Sequence, residues 1–275
     1  MKKYYITFGG QAYDIITQSA IVTARRYGAD EVLVYDDSWL IQQDFYKMNK
    51  WLWHNHPDKR GLQRGFGWWC WKPYIIWRTL EKCNEGDVVL FADGDSIPIE
   101  NLNPLYEICH KDGGIMLFAS EGHRQIEWCK ADTYIVMGQM KNLADKQSRA
   151  GVARFMLFEK GPWKSTQFLM EWMTYCINPM ATTFDSSVLI ENEDPEFKEA
   201  RAEQAIMTNL AHKYNLELYR EADEGAGSST RNFDLYKQVF TQNNPNCCGN
   251  KTQDVGNGSV FRNIDKFFEN KTTTK

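Results

Sequence analysis

One run of residues limits the architecture most: Asp87-Val88-Val89-Leu90-Phe91-Ala92. It is continuously apolar after its first residue and is bounded by polar turns, Glu85-Gly86 before it and Asp93-Gly94-Asp95-Ser96 after it. A short run of this kind predicts a strand buried on both faces. Tyr4-Tyr5-Ile6-Thr7-Phe8 predicts a first strand, ended by Gly9-Gly10. Helical spacing follows through Ile15, Ile16, Ala20, Ile21 and Ala24. Glu31-Val32-Leu33-Val34-Tyr35 then predicts a second strand, ending on Asp36-Asp37. Strand, helix and strand at these lengths form a βαβ unit and imply a parallel sheet. Further strands are expected at Gly114–Phe118, Ala153–Phe158 and Leu216–Tyr219. Helices are expected at Ser165–Cys176, with Ser165 as N-cap, and at Glu199–Tyr214. The fold class is therefore α/β: a mixed, mostly parallel sheet flanked by helices. Beyond about residue 221 the chain turns to Gly, Ser, Asn and Thr, with weak apolar islands at Tyr236–Phe240 and Val260–Phe268.

Charge narrows the function. The net charge is −4 and the pI about 5.8, which disfavours tracking of nucleic-acid phosphates; only Lys59, Arg60 and Arg64 hint at a basic patch. No apolar stretch approaches the roughly 18 residues of a transmembrane segment. Met1-Lys2-Lys3 runs straight into the first strand without a secretory apolar region, so a cytoplasmic location is expected. The seven cysteines include no C-x-x-C pair and mostly sit in apolar segments, which predicts free buried thiols. Asn250, Asn257 and Asn270 head glycosylation-like triplets, read as chance in an Asn/Thr-rich tail. No G-x-S-x-G, Walker A or H-E-x-x-H pattern occurs.

Asp93 and Asp95 are separated by one small residue, so on an extended backbone both carboxylates face one side. Gly94 leaves room for a ligand or a close backbone. Ligands of parallel sheets bind outside the carboxyl ends of the strands, where this pair falls. Two hard oxygen donors suit Mg²⁺ or Mn²⁺, with substrate phosphates completing the octahedron. The bland alternative is a polar turn. Lys72, beside Pro73 at an expected helix start, occupies an anion-binding position; its stem could equally pack on Trp71.

The arrangement resembles the GT-A glycosyltransferases, nucleotide-sugar-dependent enzymes with a metal-binding D-x-D after a central strand. More narrowly, Ile6–Gly10, Arg64-Gly65-Phe66-Gly67-Trp68-Trp69-Cys70-Trp71-Lys72-Pro73-Tyr74 and Asp87–Asp93 resemble a group of bacterial and large-virus transferases. The likeness covers roughly residues 4–220. It implies a catalytic domain over 1–220, with 1–120 on the nucleotide-sugar side and 121–220 on the acceptor side, and a wrapping tail over 221–275. It also implies a UDP-linked sugar donor and a glycan or glycoconjugate acceptor. Asp93 and Asp95 would hold the metal. Thr7, Gly9, Gly10, Asp36, Lys72 and Asp93 would border the donor. Ala202-Glu203-Gln204 resembles the acidic-Gln segment that approaches the sugar, though the group more often has His-Asp-Gln. Asp132 resembles the acid of a Lys-x-Asp element, for sugar hydroxyls or as base. Structural alternatives are a turn acid for Asp36, an N-cap for Asp132 and a first-turn acid for Glu203.

The chain holds 10 Trp, 13 Tyr and 15 Phe, and six of the Trp lie between Trp51 and Trp77. Trp71 and Trp77 flank an expected apolar helix stripe and predict core packing. Trp68 and Trp69 would face opposite ways. Trp51 and Trp53 would share a face if extended, and are the candidates to stack on an acceptor sugar. His54 and His56 are expected at the surface, and Asp185-Ser186-Ser187 in a turn. Two other classes stay open: a carbohydrate-binding module without catalysis, and a metal-dependent phosphohydrolase or pyrophosphorylase. The latter would normally carry a basic Gly-rich loop, which Gln11-Ala12-Tyr13 does not supply.

Overall fold

The computed structural model describes residues 1–9, 14–53, 65–223 and 235–242. Strands β1 (Lys3–Phe8), β2 (Glu31–Tyr35), β3 (Val88–Ala92), β5 (Ile115–Arg124), β6 (Arg149–Glu159) and β7 (Leu218–Arg220) form a six-stranded sheet in the order β2-β1-β3-β6-β5-β7. The pairs β1–β2, β1–β3 and β5–β7 are parallel; β6 runs antiparallel to both β3 and β5. Two short strands, β4 (Ser96–Pro98) and β8 (Phe240–Gln242), pair separately. The longer helices are α1 (Asp14–Arg26), α2 (Trp71–Leu80), α3 (Asn103–Lys111), α4 (Trp163–Cys176) and α5 (Ala202–Lys213). The mixed, mostly parallel sheet between helices is the architecture expected from the sequence.

The apolar run is central because every residue of β3 is buried. Val89 and Phe91 join the core formed with Ile75, Phe168, Trp172 and Ile206 from α2, α4 and α5. Val88, Leu90 and Ala92 join the opposite core, with Ala24 of α1, and Leu105, Tyr106 and Cys109 of α3. Period-two alternation thus feeds two cores at once. Asp87 stays outside the strand: its carboxylate accepts from Lys2 N at 2.7 Å and Asn84 N at 2.9 Å. Tyr236, Val239 and Phe240 are buried in the second core, so this part of the tail is held by β4, immediately after Asp95.

Two local expectations are corrected. Ser165 is not an N-cap, because α4 begins at Trp163 behind Pro162. Its hydroxyl is buried and donates to Gly114 O at 2.9 Å. Trp51 and Trp53 lie in a 3₁₀ turn (Lys50–Trp53) rather than an extended segment. Trp53 stacks on Tyr46 at 4.6 Å and packs on Phe66, and Trp51 packs on Trp68, so both rings are spent on other aromatics. The five cysteines among the described residues, Cys70, Cys83, Cys109, Cys129 and Cys176, are free and buried. No helix among the described residues is long and apolar enough to cross a membrane. Gly10, His54, His56, Lys59, Arg60, Arg64, Cys247, Cys248, the Val260–Phe268 island and the three glycosylation-like triplets lie outside the described residues.

Candidate active site

β3 ends in a tight turn. Asp93 N donates to Arg154 O of β6 at 2.8 Å, and Ser96 N donates to Asp93 O at 2.9 Å. A Cβ on Gly94 would stand 2.8 Å from Phe8 O, so the end of β1 can close on this turn only because Gly94 has no side chain. The same Cβ would lie 3.4 Å from Thr17 Oγ1 and 3.8 Å from Thr7 Oγ1. Both hydroxyls are buried with no hydrogen-bond partner among the described residues, as is Ser96 Oγ. Buried polar atoms are normally satisfied, so this edge carries unspent hydrogen-bonding capacity.

Lys72 reaches the turn from the first helical turn of α2. The chain enters that helix through a strained corner, with φ of 63° at Gly65, 58° at Gly67, 49° at Trp68 and 58° at Trp69. A Cβ on Gly67 would meet the Trp53 ring at 2.3 Å, so the aromatic cluster and the corner demand glycine together. Trp71 stacks on Phe8 at 4.0 Å, pinning the helix start against the end of β1. Lys72 is buried, and its Nζ lies 2.8 Å from Ala153 O, 3.0 Å from Asp93 Oδ1 and 3.2 Å from Glu203 Oε1. An ammonium carries three protons, and three oxygens surround this one. Burial works against the charge of Lys72, but Asp93 and Glu203 outweigh it and raise its pKa.

Glu203 comes from the first turn of α5, one residue after Ala202, which is held at φ 42°. Trp172 Nε1 donates to Glu203 O at 2.9 Å, fixing the backbone while Lys72 fixes the carboxylate. Burial pushes the Glu203 carboxyl up to about 7; Lys72 opposes the shift and Asp93 adds to it. Asp93 is also raised, by burial first, with Lys72 opposing and the Asp95 charge adding. Lys72, Asp93 and Glu203, separate candidates in the sequence, form one unit here. Gln204 points elsewhere: its Oε1 accepts from Ala153 N at 3.4 Å, and its side chain lines a neighbouring cleft.

Other candidates fall in different places. Asp36 is the N-cap of a short helix (Asp37–Leu40), its Oδ1 accepting from Trp39 N at 2.7 Å, though it stands at the carboxyl end of β2. Gly9 follows β1, and its N–H donates to Tyr35 O at 2.9 Å. Asp132 is not an N-cap; it lies within the helix Ala131–Val136, whose N-cap is Lys130. It is buried, and its two oxygens accept from Val188 N at 2.8 Å and Leu189 N at 3.2 Å. That geometry anchors the loop containing Asp185-Ser186-Ser187. Lys130 is buried beside it and donates to Thr183 Oγ1 and Asp185 O, each at 3.4 Å; burial lowers its pKa.

The cleft beside Gln204 has a volume of about 260 Å³. It is lined by Ser120 and His123 of β5, Trp128, Ala150, Val152 and Arg154 of β6, Arg201, Gln204 and Glu221. Only Gln204 among these was a sequence candidate. Arg154 pairs with Asp223 at 2.6 Å and Glu221 at 3.5 Å. The Arg201 guanidinium lies over the Trp128 ring, 4.3 Å from its centroid. The signal for these residues is faint: they are scattered over two strands and the segments beside them, with no motif.

Asp93 and Asp95 suit a hard divalent cation. Both are carboxylates on one turn, Asp95 adds to the charge crowding on Asp93, and Asp93 keeps about a third of its side chain exposed, at 32%. Lys72 already engages Asp93 Oδ1. Among the described residues no group of three or more His, Cys, Asp or Glu side chains gathers as a metal cage.

No protein-family model matches the chain, and no curated protein sequence does. Among solved structures, mouse xyloside xylosyltransferase 1 in its apo form aligns with a TM-score of 0.46 at 9% identity, over 80% of this chain and 85% of its own. Apo WbbM, a bifunctional glycosyltransferase, aligns with a TM-score of 0.46 at 13% identity, over 76% of this chain and 37% of its own. The apo glycosyltransferase GlyE of Streptococcus pneumoniae TIGR4 aligns with a TM-score of 0.39 at 13% identity, over 81% of this chain and 46% of its own. The chain thus spans most of the first structure and less than half of the other two.

Proposed function

We propose that the chain is a GT-A-type glycosyltransferase that moves a sugar from a UDP-linked nucleotide-sugar donor to a hydroxyl of a glycan or glycoconjugate. The observation that carries this reading is the Lys72 bridge. It ties Asp93 of the D-x-D turn to Glu203 of the acidic-Gln segment, at 3.0 and 3.2 Å, on the sheet edge where ligands of parallel sheets bind. Lys72, Asp93 and Glu203, far apart in sequence, stand together there, which supports the reading.

In this reading residues 1–120 supply the donor side and 121–220 the acceptor side. Thr7 and Gly9, at the end of β1, border the nucleotide, and the unpartnered Thr7 and Thr17 hydroxyls can take its polar atoms. Asp95, with Asp93, would hold Mn²⁺ or Mg²⁺. When bound, the cation offsets the charge developing on the departing diphosphate. Lys72 has its three protons occupied by protein oxygens, so it positions Asp93 and Glu203 and does not grip the diphosphate. Glu203, with its pKa near 7, holds or releases a proton around neutrality. Gln204 turns toward the cleft and meets the acceptor. Asp132 holds the loop at Val188 and Leu189 in place.

The test is a thermal-shift screen of sugar nucleotides with Mn²⁺, followed by assay of nucleoside diphosphate release. A ligand at 100 times its dissociation constant adds about 2.7 kcal/mol to stability, a readily measured shift. Stabilisation by a UDP-sugar, with UDP released only when an acceptor is present, supports the reading. Absence of any sugar-nucleotide response, or hydrolysis to a sugar phosphate, contradicts it.

A further inference from the structure

The two acids of the D-x-D turn are tethered to different parts of the molecule. Asp93 belongs to the main sheet: its N–H donates to Arg154 O of β6 at 2.8 Å, and its carboxylate meets Lys72 at 3.0 Å. Past Asp95 the chain enters β4, whose strand partner is β8 of the tail. Ser96, Ile97 and Pro98 stand opposite Gln242, Thr241 and Phe240. Ile99 N adds a bond to Val239 O at 2.8 Å. The main sheet reaches this strand through Tyr5 OH, which donates to Ser96 O at 3.1 Å. A two-stranded ribbon is marginal by itself in water, so the β4–β8 pair depends on what fastens the tail.

Arg220, the last residue of β7, is fully buried and reaches that tail. Its Nη2 donates to Tyr236 O at 2.8 Å and to Lys237 O at 3.3 Å, and its Nη1 donates to Glu221 O at 3.1 Å. The guanidinium stands 4.8 Å from the centroid of the Tyr236 ring. Tyr236 returns the contact by donating its hydroxyl to Arg220 O. Two residues on, Ala222 O accepts from Val239 N at 2.7 Å and from Phe240 N at 3.1 Å. Phe240 stacks on Phe155 of β6 at 4.8 Å. The chain leaving β7 thus grips the tail backbone from Tyr236 up to the start of β8. Hydrogen bonds from a charged guanidinium are about twice as strong as neutral ones, which makes Arg220 the firmest point of this grip.

We propose that Arg220 is a positioning residue for Asp95: by fastening the tail at Tyr236 and Lys237 it holds β8 against β4, and so sets the backbone from which the Asp95 carboxylate reaches a divalent cation. The cation in this role rests on the glycosyltransferase reading; the tether does not. UDP is titrated by calorimetry into the full chain and into Arg220→Gln over a series of Mn²⁺ concentrations. Hydrogen exchange is followed at the Ile99 and Asp93 amides without metal. Groups that orient metal ligands from behind shift metal affinity about 10–100-fold when removed. The Mn²⁺ concentration that half-tightens UDP binding should therefore rise about tenfold or more in Arg220→Gln, with metal-free UDP affinity unchanged. The Ile99 amide should exchange faster, and the Asp93 amide, bonded to β6, should not. Tyr236→Phe, which removes one hydroxyl and leaves the guanidinium, should move both readouts the same way by less, and it carries the test if Arg220→Gln does not fold. An unmoved Mn²⁺ midpoint, equal losses of UDP affinity with and without Mn²⁺, or unchanged exchange at Ile99 overturns the proposal. Failure of the unsubstituted chain to bind UDP at any Mn²⁺ concentration would instead count against the transferase reading, and the Ile99 amide would still decide whether Arg220 holds β4.

Discussion

The Lys72–Asp93–Glu203 unit and the ion pairs around Trp128 are both built from charges, and they spend them oppositely. In the first, a lysine and a glutamate whose side chains are each 4% exposed close on each other and on Asp93. Around Trp128, Arg124 bonds Glu127 and Glu196, and Lys198 bonds Glu127, with Arg124, Glu196 and Lys198 side chains 42–57% exposed. A buried charge cannot be abandoned by its partner without a large cost, whereas an exposed pair is worth little. The buried unit therefore fixes geometry, and the exposed pairs contribute little to it.

The contrast breaks most directly at Lys72. Lys72→Met leaves the buried Glu203 and the part-exposed Asp93 without their cation, and urea unfolding should register a loss of about 3–5 kcal/mol. A loss under about 1 kcal/mol would place the unit with ordinary surface pairs. The next largest effect is pH dependence. The Glu203 carboxyl sits near 7 in the folded chain against 4.5 as its ordinary value. The folded state thus binds the extra proton between those values, so its contribution to stability is full below 4.5 and is lost as pH rises through 7. Glu203→Gln should flatten that window in urea midpoints taken from pH 4.5 to 7.5; an unchanged slope would assign the titration elsewhere. Glu127, held near 2 by Lys198 and by the Arg124 backbone N–H, has the reverse sign: its contribution is present above 4.5 and fades toward 2.

Gly94→Ala comes third. A Cβ 2.8 Å from Phe8 O forces the β1 end and the turn apart, with an overpacking cost of about 1–3 kcal/mol and weakened metal-dependent UDP binding. Unaltered stability together with unaltered binding would mean the close approach has no role. The smallest effect belongs to the exposed pairs around Trp128. Lys198→Ala, which removes a half-exposed partner of Glu127, should cost no more than about 1 kcal/mol, and a loss of about 3 kcal/mol or more would show that this pair contributes to stability as the buried unit does.

Legibility in the sequence follows the same divide. β3 can be read because an apolar run serving two cores needs no partner to be identified. Asp93 and Asp95 are legible because they follow it directly. Lys72 and Glu203 can be singled out, but not joined: their contact is set by how α2 and α5 pack across the sheet. That packing sets the Lys72 ammonium between the two carboxylates. The aromatic excess misleads at Trp51 and Trp53, since stacking with Tyr46, Phe66 and Trp68 favours a 3₁₀ turn over an extended platform. The cleft wall is invisible in the sequence. Its residues come from separate strands and helices, and none carries a pattern that one segment could reveal.

The central claim is that the D-x-D turn presents a divalent cation to a nucleoside diphosphate. Calorimetry of UDP binding to the full chain and to Asp95→Asn, each with and without Mn²⁺, tests it most directly. The account predicts that Mn²⁺ tightens UDP binding to the unsubstituted chain by at least about tenfold, about 1.4 kcal/mol, and that Asp95→Asn returns it to the metal-free value. Equal UDP affinity with and without Mn²⁺, or a full Mn²⁺ effect in Asp95→Asn, would contradict it.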